Sequence, residues 1–160
     1  MSSRIGIGYD VHPYGTEADR PLILGGVSFP GERGLAGHSD ADVAAHAVAD
    51  AMLGAAGLGD LGFHFSESDP RWKGADSLGL LRRVAELVNE EGFALVNADC
   101  TVVGERPRLA AVREEMMGKL SEAAGGPVHV KATRPERMGA LGREEGIACL
   151  AVALLDEVRP

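Results

Sequence analysis

Asp10 and His12 stand two residues apart near the start of the chain, and His46 follows in a segment with a different periodicity. Residues 4 to 12 alternate Arg4, Gly6, Gly8, Asp10 and His12 against Ile5, Ile7, Tyr9 and Val11, the period-two pattern of a half-buried strand. Asp10 and His12 therefore project to the same side. From Asp42 to about Gly57 the residues Ala44, Ala47, Val48, Ala51, Met52 and Ala55 recur at helical spacing, while Asp42, His46 and Asp50 share the opposite stripe. One carboxylate and two imidazoles suit a borderline cation such as Zn2+, and three protein ligands leave a fourth tetrahedral position for substrate. By spacing alone the same residues also read as ordinary polar positions on a strand and a helix. Asp42 and Asp50 then solvate a helix face, with Asp42 also placed to cap its start.

The elements that must position these residues follow from the rest of the pattern. PLILGGV and SFPGERG are short apolar runs punctuated by Gly25-Gly26 and Pro30-Gly31, read as hairpin strands. The segment GDLGFHFSESDPRWKGADS is a long, glycine- and charge-rich loop of the kind that forms lids or binding loops. Asp76 caps a second helix with Leu80, Leu81, Val84, Leu87 and Val88 inward and Gly92 at its end. Residues 94 to 103 alternate again, with Val96, Ala98, Cys100 and Val102 expected on one face. A third helix spans about Arg108 to Ala124 with Leu109, Val112, Met116 and Leu120 inward. Strands at 127 to 133 and 146 to 155 complete the chain, the last apolar on both faces like a central, doubly covered strand. The order predicts an α+β sandwich in one domain spanning 1 to 160: a mixed four-stranded sheet, helices on one face, and a small hairpin. The uncovered, small-residue and apolar sheet face is an association surface.

Composition bounds the function. A net charge of -8, from 24 acidic and 16 basic residues, opposes general nucleic-acid binding, because phosphate backbones demand surplus Lys and Arg. An anionic small ligand would need local cations or metals to offset that field. Cys100 and Cys149 lie in apolar strand-like runs and read as buried, reduced thiols. The N-terminal MSSRIGIGYDVH lacks a secretory or transit pattern, and no run approaches a membrane span, so a cytoplasmic protein is expected.

GYDVHPYG, LILGG and HSDADVAAHAVADAMLGAAGLGDLG, with SDPRWKGADS, ERPRL, VKAT and GREEGIAC, resemble in order the signatures of the 2-C-methyl-D-erythritol 2,4-cyclodiphosphate synthase family. The resemblance runs from Arg4 to about Leu155. It implies a ferredoxin-like topology and a homotrimer that buries the sheet face, with active sites between subunits. It also implies one Zn2+ per subunit on Asp10, His12 and His46, and a second divalent ion, Mg2+ or Mn2+, on Glu136. His38 and Ser39 match a mobile loop near the substrate phosphates, and Asp60 matches a contact to the methylerythritol hydroxyls. Gly62, Phe65 and Asp69 fall among the substrate-contacting positions of the following loop. Gly104, Pro107, Arg108, Leu109 and Ala110 match the stretch that forms a cytosine pocket. Ala132, Thr133 and Arg134 match positions near the diphosphate, and Arg143 matches an arginine near the trimer axis. Within this set, His38, Thr133 and Glu136 match catalytic positions. Two departures bear on the diphosphate site: Arg134 and Pro135 stand where the family commonly has threonines, and Glu67 where many members have Asp.

The activity so implied is attack by a substrate 2-phosphate on the β-phosphorus of its own cytidine diphosphate arm, expelling CMP, in isoprenoid precursor biosynthesis. The residues alone also accommodate a zinc phosphoesterase that hydrolyses a nucleotide diphosphate, or a non-catalytic zinc-stabilised oligomerisation module. His64 and His129 carry no assigned role, and Arg137 reads as a solvated charge.

Overall fold

A computed structural model describes residues 2 to 158. The chain order is β1 (Ser3–Pro13), β2 (Ile23–Leu24), β3 (Val27–Ser28), α1 (Val43–Ala56), α2 (Leu61–His64), α3 (Ser77–Glu90), β4 (Phe93–Val103), α4 (Arg113–Ala124), β5 (Val128–Thr133), α5 (Gly139–Gly142) and β6 (Gly146–Glu157). The long charged loop thus contains α2 and a further 3-10 turn over Pro70–Trp72. The third helix begins at Arg113, later than the apolar spacing predicts, because Leu109 to Val112 form a turn ahead of it.

The main sheet has the order β1-β6-β4-β5, and β2 pairs with β3 as a separate hairpin. β6 pairs antiparallel with β1 and β4, whereas β4 and β5 run parallel. The four-stranded sheet is therefore mixed, as expected, and α4 makes a βαβ crossover between the neighbouring strands β4 and β5. Helices α1, α3 and α4 cover one face, with α1 against β1, β6 and β4, and α4 against β5.

The physical reason α1 lies so close to β1 is glycine. A Cβ at Gly6 would overlap the Ala51 carbonyl oxygen, and one at Gly8 would overlap that of Ala47. The alanine-rich inner side of α1 therefore rests directly on strand backbone, and Ala44, Ala47, Val48 and Ala51 are fully buried. The larger alternating residues of β1 point away: Ile5 is 73% and Ile7 68% exposed. Tyr9, Val11, Leu150 and Val152 share this exposure, so β6 is central in the sheet but covered on one face within the chain. Val96 also joins the exposed residues, contrary to the alternation that groups it with Ala98, Cys100 and Val102. A bulge between Leu95 and Asn97 inserts one residue and reverses the facing of everything before it.

Candidate metal centre and substrate pockets

The alternation of β1 and the turn of α1 bring Asp10, His12 and His46 together. Asp10 Oδ2 lies 3.1 Å from His12 Nε2 and 3.1 Å from His46 Nδ1. One ligand atom from each of the three residues falls within 4.8 Å of the others, the only such group of three or more among the described residues. The opposite nitrogens are occupied. His12 Nδ1 lies 2.8 Å from the Ala36 carbonyl oxygen, and His46 Nε2 lies 2.8 Å from Ser77 Oγ and 3.2 Å from Ser39 Oγ. Donation from those nitrogens leaves a lone pair on each imidazole directed at the same point as Asp10 Oδ2, the outer arrangement that ligating histidines require. The donor set therefore fits a tetrahedral cation with one open position.

Electrostatics agree with the geometry. Burial works to raise the Asp10 pKa, yet hydrogen bonds and charge from His12 and His46 hold it well below the usual carboxylate range. Burial alone would lower the His12 pKa, but the bond to Asp10 and its charge outweigh this, and the net shift is upward.

Asp42 and Asp50 do more than solvate the helix. Asp42 is fully buried and caps α1 through Ala44 N and Ala45 N, while also accepting from Gly25 N at 2.8 Å and Gly26 N at 2.7 Å. It thereby ties the β2–β3 turn to the helix that carries His46. Burial raises its carboxyl to about 6 against the pull of these backbone donors. Asp50 accepts from Leu61 N at 3.1 Å and anchors the start of α2. Sequence reasoning missed Ser77 and Asp40: Ser77 is buried, bonded to His46 on one side and Asp40 on the other. Its position beside the Asp76 cap was legible, but nothing in its spacing pointed to a histidine 31 residues away.

Two pockets gather the remaining candidate residues. A cavity of about 220 Å³ is lined by Asp10, His12 and His46 together with His38, Ser39, Gly62, Phe65, Glu67 and Trp72. His38 Nε2 lies 3.2 Å from the Asp69 carbonyl oxygen, while the Asp69 carboxylate pairs with Arg71 rather than facing the pocket. Asp60 caps α2 and lines an adjoining cleft with Asp10, His46 and Asp50. A second cavity of about 260 Å³ is lined by Gly104, Pro107, Arg108, Leu109, Ala110, Ala132, Thr133 and Arg134, with Glu105 and Arg113 added. Glu136 stands just beyond, exposed, and both it and Arg137 have positive φ (53° and 62°). Glu105 pins that turn by accepting from Arg137 N at 2.6 Å. Arg143 is exposed and paired with Glu145, outside both cavities.

The two cavities do not adjoin within one chain. Asp10, Cys149, Val102 and Ala132 form one row across the sheet, from one edge strand to the other. Three strand spacings separate the ends, about 14 Å.

The YgbB family model matches residues 3–156. The chain belongs to the YgbB family. A family relative, the 2-C-methyl-D-erythritol 2,4-cyclodiphosphate synthase of Geobacillus thermodenitrificans, is 54% identical over 157 residues, covering 96% of this chain and 97% of its own. Among solved structures, the bifunctional IspDF from Campylobacter jejuni superposes with a TM-score of 0.92 at 39% identity, over 98% of this chain and 42% of that one. A 2C-methyl-D-erythritol-2,4-cyclodiphosphate synthase in a CDP-bound form superposes with a TM-score of 0.85 at 37% identity, over 96% of this chain and all of that one. The family assignment covers both cavities and all the metal-centre residues.

Proposed function

We propose that this chain is a 2-C-methyl-D-erythritol 2,4-cyclodiphosphate synthase, a phosphorus–oxygen lyase that acts as one catalytic domain in isoprenoid precursor formation. The observation that carries the reading is the convergence of Asp10, His12 and His46 on one open point, in a chain 54% identical to a synthase of that name. In the reaction, an oxygen of the substrate's 2-phosphate forms a bond to the β-phosphorus of the cytidine diphosphate arm. The bond from that phosphorus to the bridging oxygen breaks, and CMP leaves with the electron pair. The nucleophile is already an anion, so no activated serine or cysteine is required.

The task of the protein is to hold two anionic groups together in line. Asp10, His12 and His46 would hold Zn2+ and Glu136 would hold Mg2+ or Mn2+, and such ions would supply positive charge that offsets the repulsion between the two phosphates. Thr133 and Arg134 line the second cavity, where the hydroxyl and the guanidinium would donate to phosphate oxygens. Gly104, Pro107, Arg108, Leu109 and Ala110 line the same cavity, which would receive the cytosine, in keeping with the CDP-bound relative. His38, Ser39, Gly62 and Phe65 line the cavity that holds Asp10, His12 and His46, and Asp60 in the adjoining cleft would contact the polyol hydroxyls. Arg134 offers a planar, multi-donor cation where the family commonly has a hydroxyl, a stronger phosphate partner that demands more room.

The separation of the two cavities supports a homotrimer in which the metal centre of one subunit faces the cytidine cavity of the next. The bare apolar sheet face supports the same assembly. The absence of a helix long and apolar enough to cross a membrane among the described residues agrees with a cytoplasmic site of action.

Phosphorus NMR of the chain with its cytidyl substrate, Zn2+ and Mg2+ tests the reading: cyclic diphosphate plus CMP is expected, and a linear phosphate product would overturn it. In the same assay His12→Ala should lose bound zinc and CMP release. Glu136→Ala should keep zinc yet lose turnover by about 10²-fold or more.

A further inference from the structure

Arg20 lies in the loop before β2, away from both cavities that hold the candidate site residues. Among the described residues its guanidinium meets no carboxylate. Instead it donates to three backbone carbonyl oxygens within five residues: Leu35, Gly37 at 3.1 Å and Ser39 at 2.5 Å. A planar fork with five donors can span such a row, whereas a compact ammonium cannot.

The clamped segment is the one that orients both imidazoles. Ala36 supplies the carbonyl oxygen that fixes His12 Nδ1, and Ser39 places its hydroxyl 3.2 Å from His46 Nε2. Gly37 is so close to the His12 ring that a Cβ there would press on Cε1 and Nδ1. The segment leaves through Ala41 at φ 58°, a left-handed conformation that a residue with a Cβ adopts only when its surroundings hold it there. Asp40 adds a second anchor through Ser77 N and Ser77 Oγ, but Arg20 is the side chain that spans residues 35 to 39.

We propose that Arg20 is a positioning residue of the metal centre: by clamping the carbonyls of Leu35, Gly37 and Ser39 it sets the segment that aims His12 Nε2 and His46 Nδ1 at Asp10. The proposal rests on the metal reading above, but Arg20 itself touches neither the ligand atoms nor any residue assigned to substrate other than the Ser39 backbone. Ligating nitrogens whose outer partners shift lose alignment, and such changes typically weaken metal binding by about 10- to 100-fold.

The test uses the full chain, stripped of metal and titrated with Zn2+ against a chromophoric chelator, as wild type, Arg20→Lys and Arg20→Ala. Amide exchange over residues 36 to 39 is followed in parallel. Arg20→Ala should bind Zn2+ about 10- to 100-fold more weakly, with unchanged circular dichroism and faster exchange in that segment, and Arg20→Lys should fall between it and wild type. If Arg20→Ala does not fold, Arg20→Lys alone decides. Zinc affinity within about twofold of wild type, even with faster exchange, would reduce Arg20 to a staple of the loop and overturn the proposal. A wild-type chain that takes up no Zn2+ would instead sink the metal reading, and this inference with it.

Discussion

Asp10 Oδ2 lies 3.1 Å from His12 Nε2 and from His46 Nδ1, so without a metal ion the carboxylate favours a proton on the His12 ring. His12 has a pKa above its ordinary 6.5 for that reason, despite burial that acts in the opposite direction. The sign of two pH effects follows. The stabilisation of the metal-free fold by the His12–Asp10 pair is fully present below 6.5 and is lost as pH rises through the raised value. Zinc binding runs the other way, because the ligand must be the neutral imidazole. Apparent zinc affinity should therefore fall as pH is lowered, with the decline already under way above 6.5. Chelator competition from about pH 8.5 to about pH 6 measures this, and a flat profile would show that His12 is not a ligand.

At the scale of elements, the metal centre depends on how near α1 can come to β1. His46 is on the helix and Asp10 on the strand, and their 3.1 Å approach exists because Gly6 and Gly8 present no side chain to the Ala47 and Ala51 carbonyls. Gly8→Ala should force the helix outward. Overpacking of this kind costs about 3 kcal/mol or more, since backbone rather than a flexible side chain must yield. Denaturant unfolding should show the loss, and residual folded protein should bind zinc poorly; a Gly8→Ala chain with wild-type midpoint and zinc content would show the contact to be dispensable. Asp42 acts at the same scale from the start of the helix. Its four backbone hydrogen bonds fix the helix start to the β2–β3 turn, so the register of His46 along α1 is set by a buried carboxylate.

The whole molecule presents a sheet with one face packed and one bare. Ile5, Ile7, Tyr9, Val11, Leu150 and Val152 are exposed together on that face. Each large apolar side chain buried there in an assembly would contribute about 1.5–3 kcal/mol, which is a strong drive to associate. Ile7→Lys should oppose it by placing an unpaired charge in the contact. Sedimentation should then find single chains at concentrations where the wild type is oligomeric. On the proposed function activity should fall with assembly, because the Asp10–His12–His46 cluster and the second cavity lie about 14 Å apart across one chain. An Ile7→Lys chain with wild-type mass and turnover would remove this face from the interface.

Much of this protein was legible in its residues because the relevant signals are local. Alternation through residues 4 to 12 placed Asp10 and His12 on one side, helical spacing placed His46, and Asp42, Asp76, Gly57 and Gly92 marked helix ends that the structure contains. The uncovered sheet face was also legible, since the helices were too few to cover both sides. Other features required the tertiary structure. Alternation shows that two faces differ but not which one the core selects, and here α1 chose the glycines and left the isoleucines outside. A one-residue bulge at Val96 and a parallel β4–β5 pair leave no periodic trace, so the facing of Val96 and the sheet order had to be seen. The partners that orient the imidazoles, Ala36, Ser77 and, through its clamp, Arg20, are brought in by backbone groups and long-range packing. Carbonyl oxygens carry no side-chain signature, which is why the three candidate ligands were legible in the sequence and most of the groups that aim them were not.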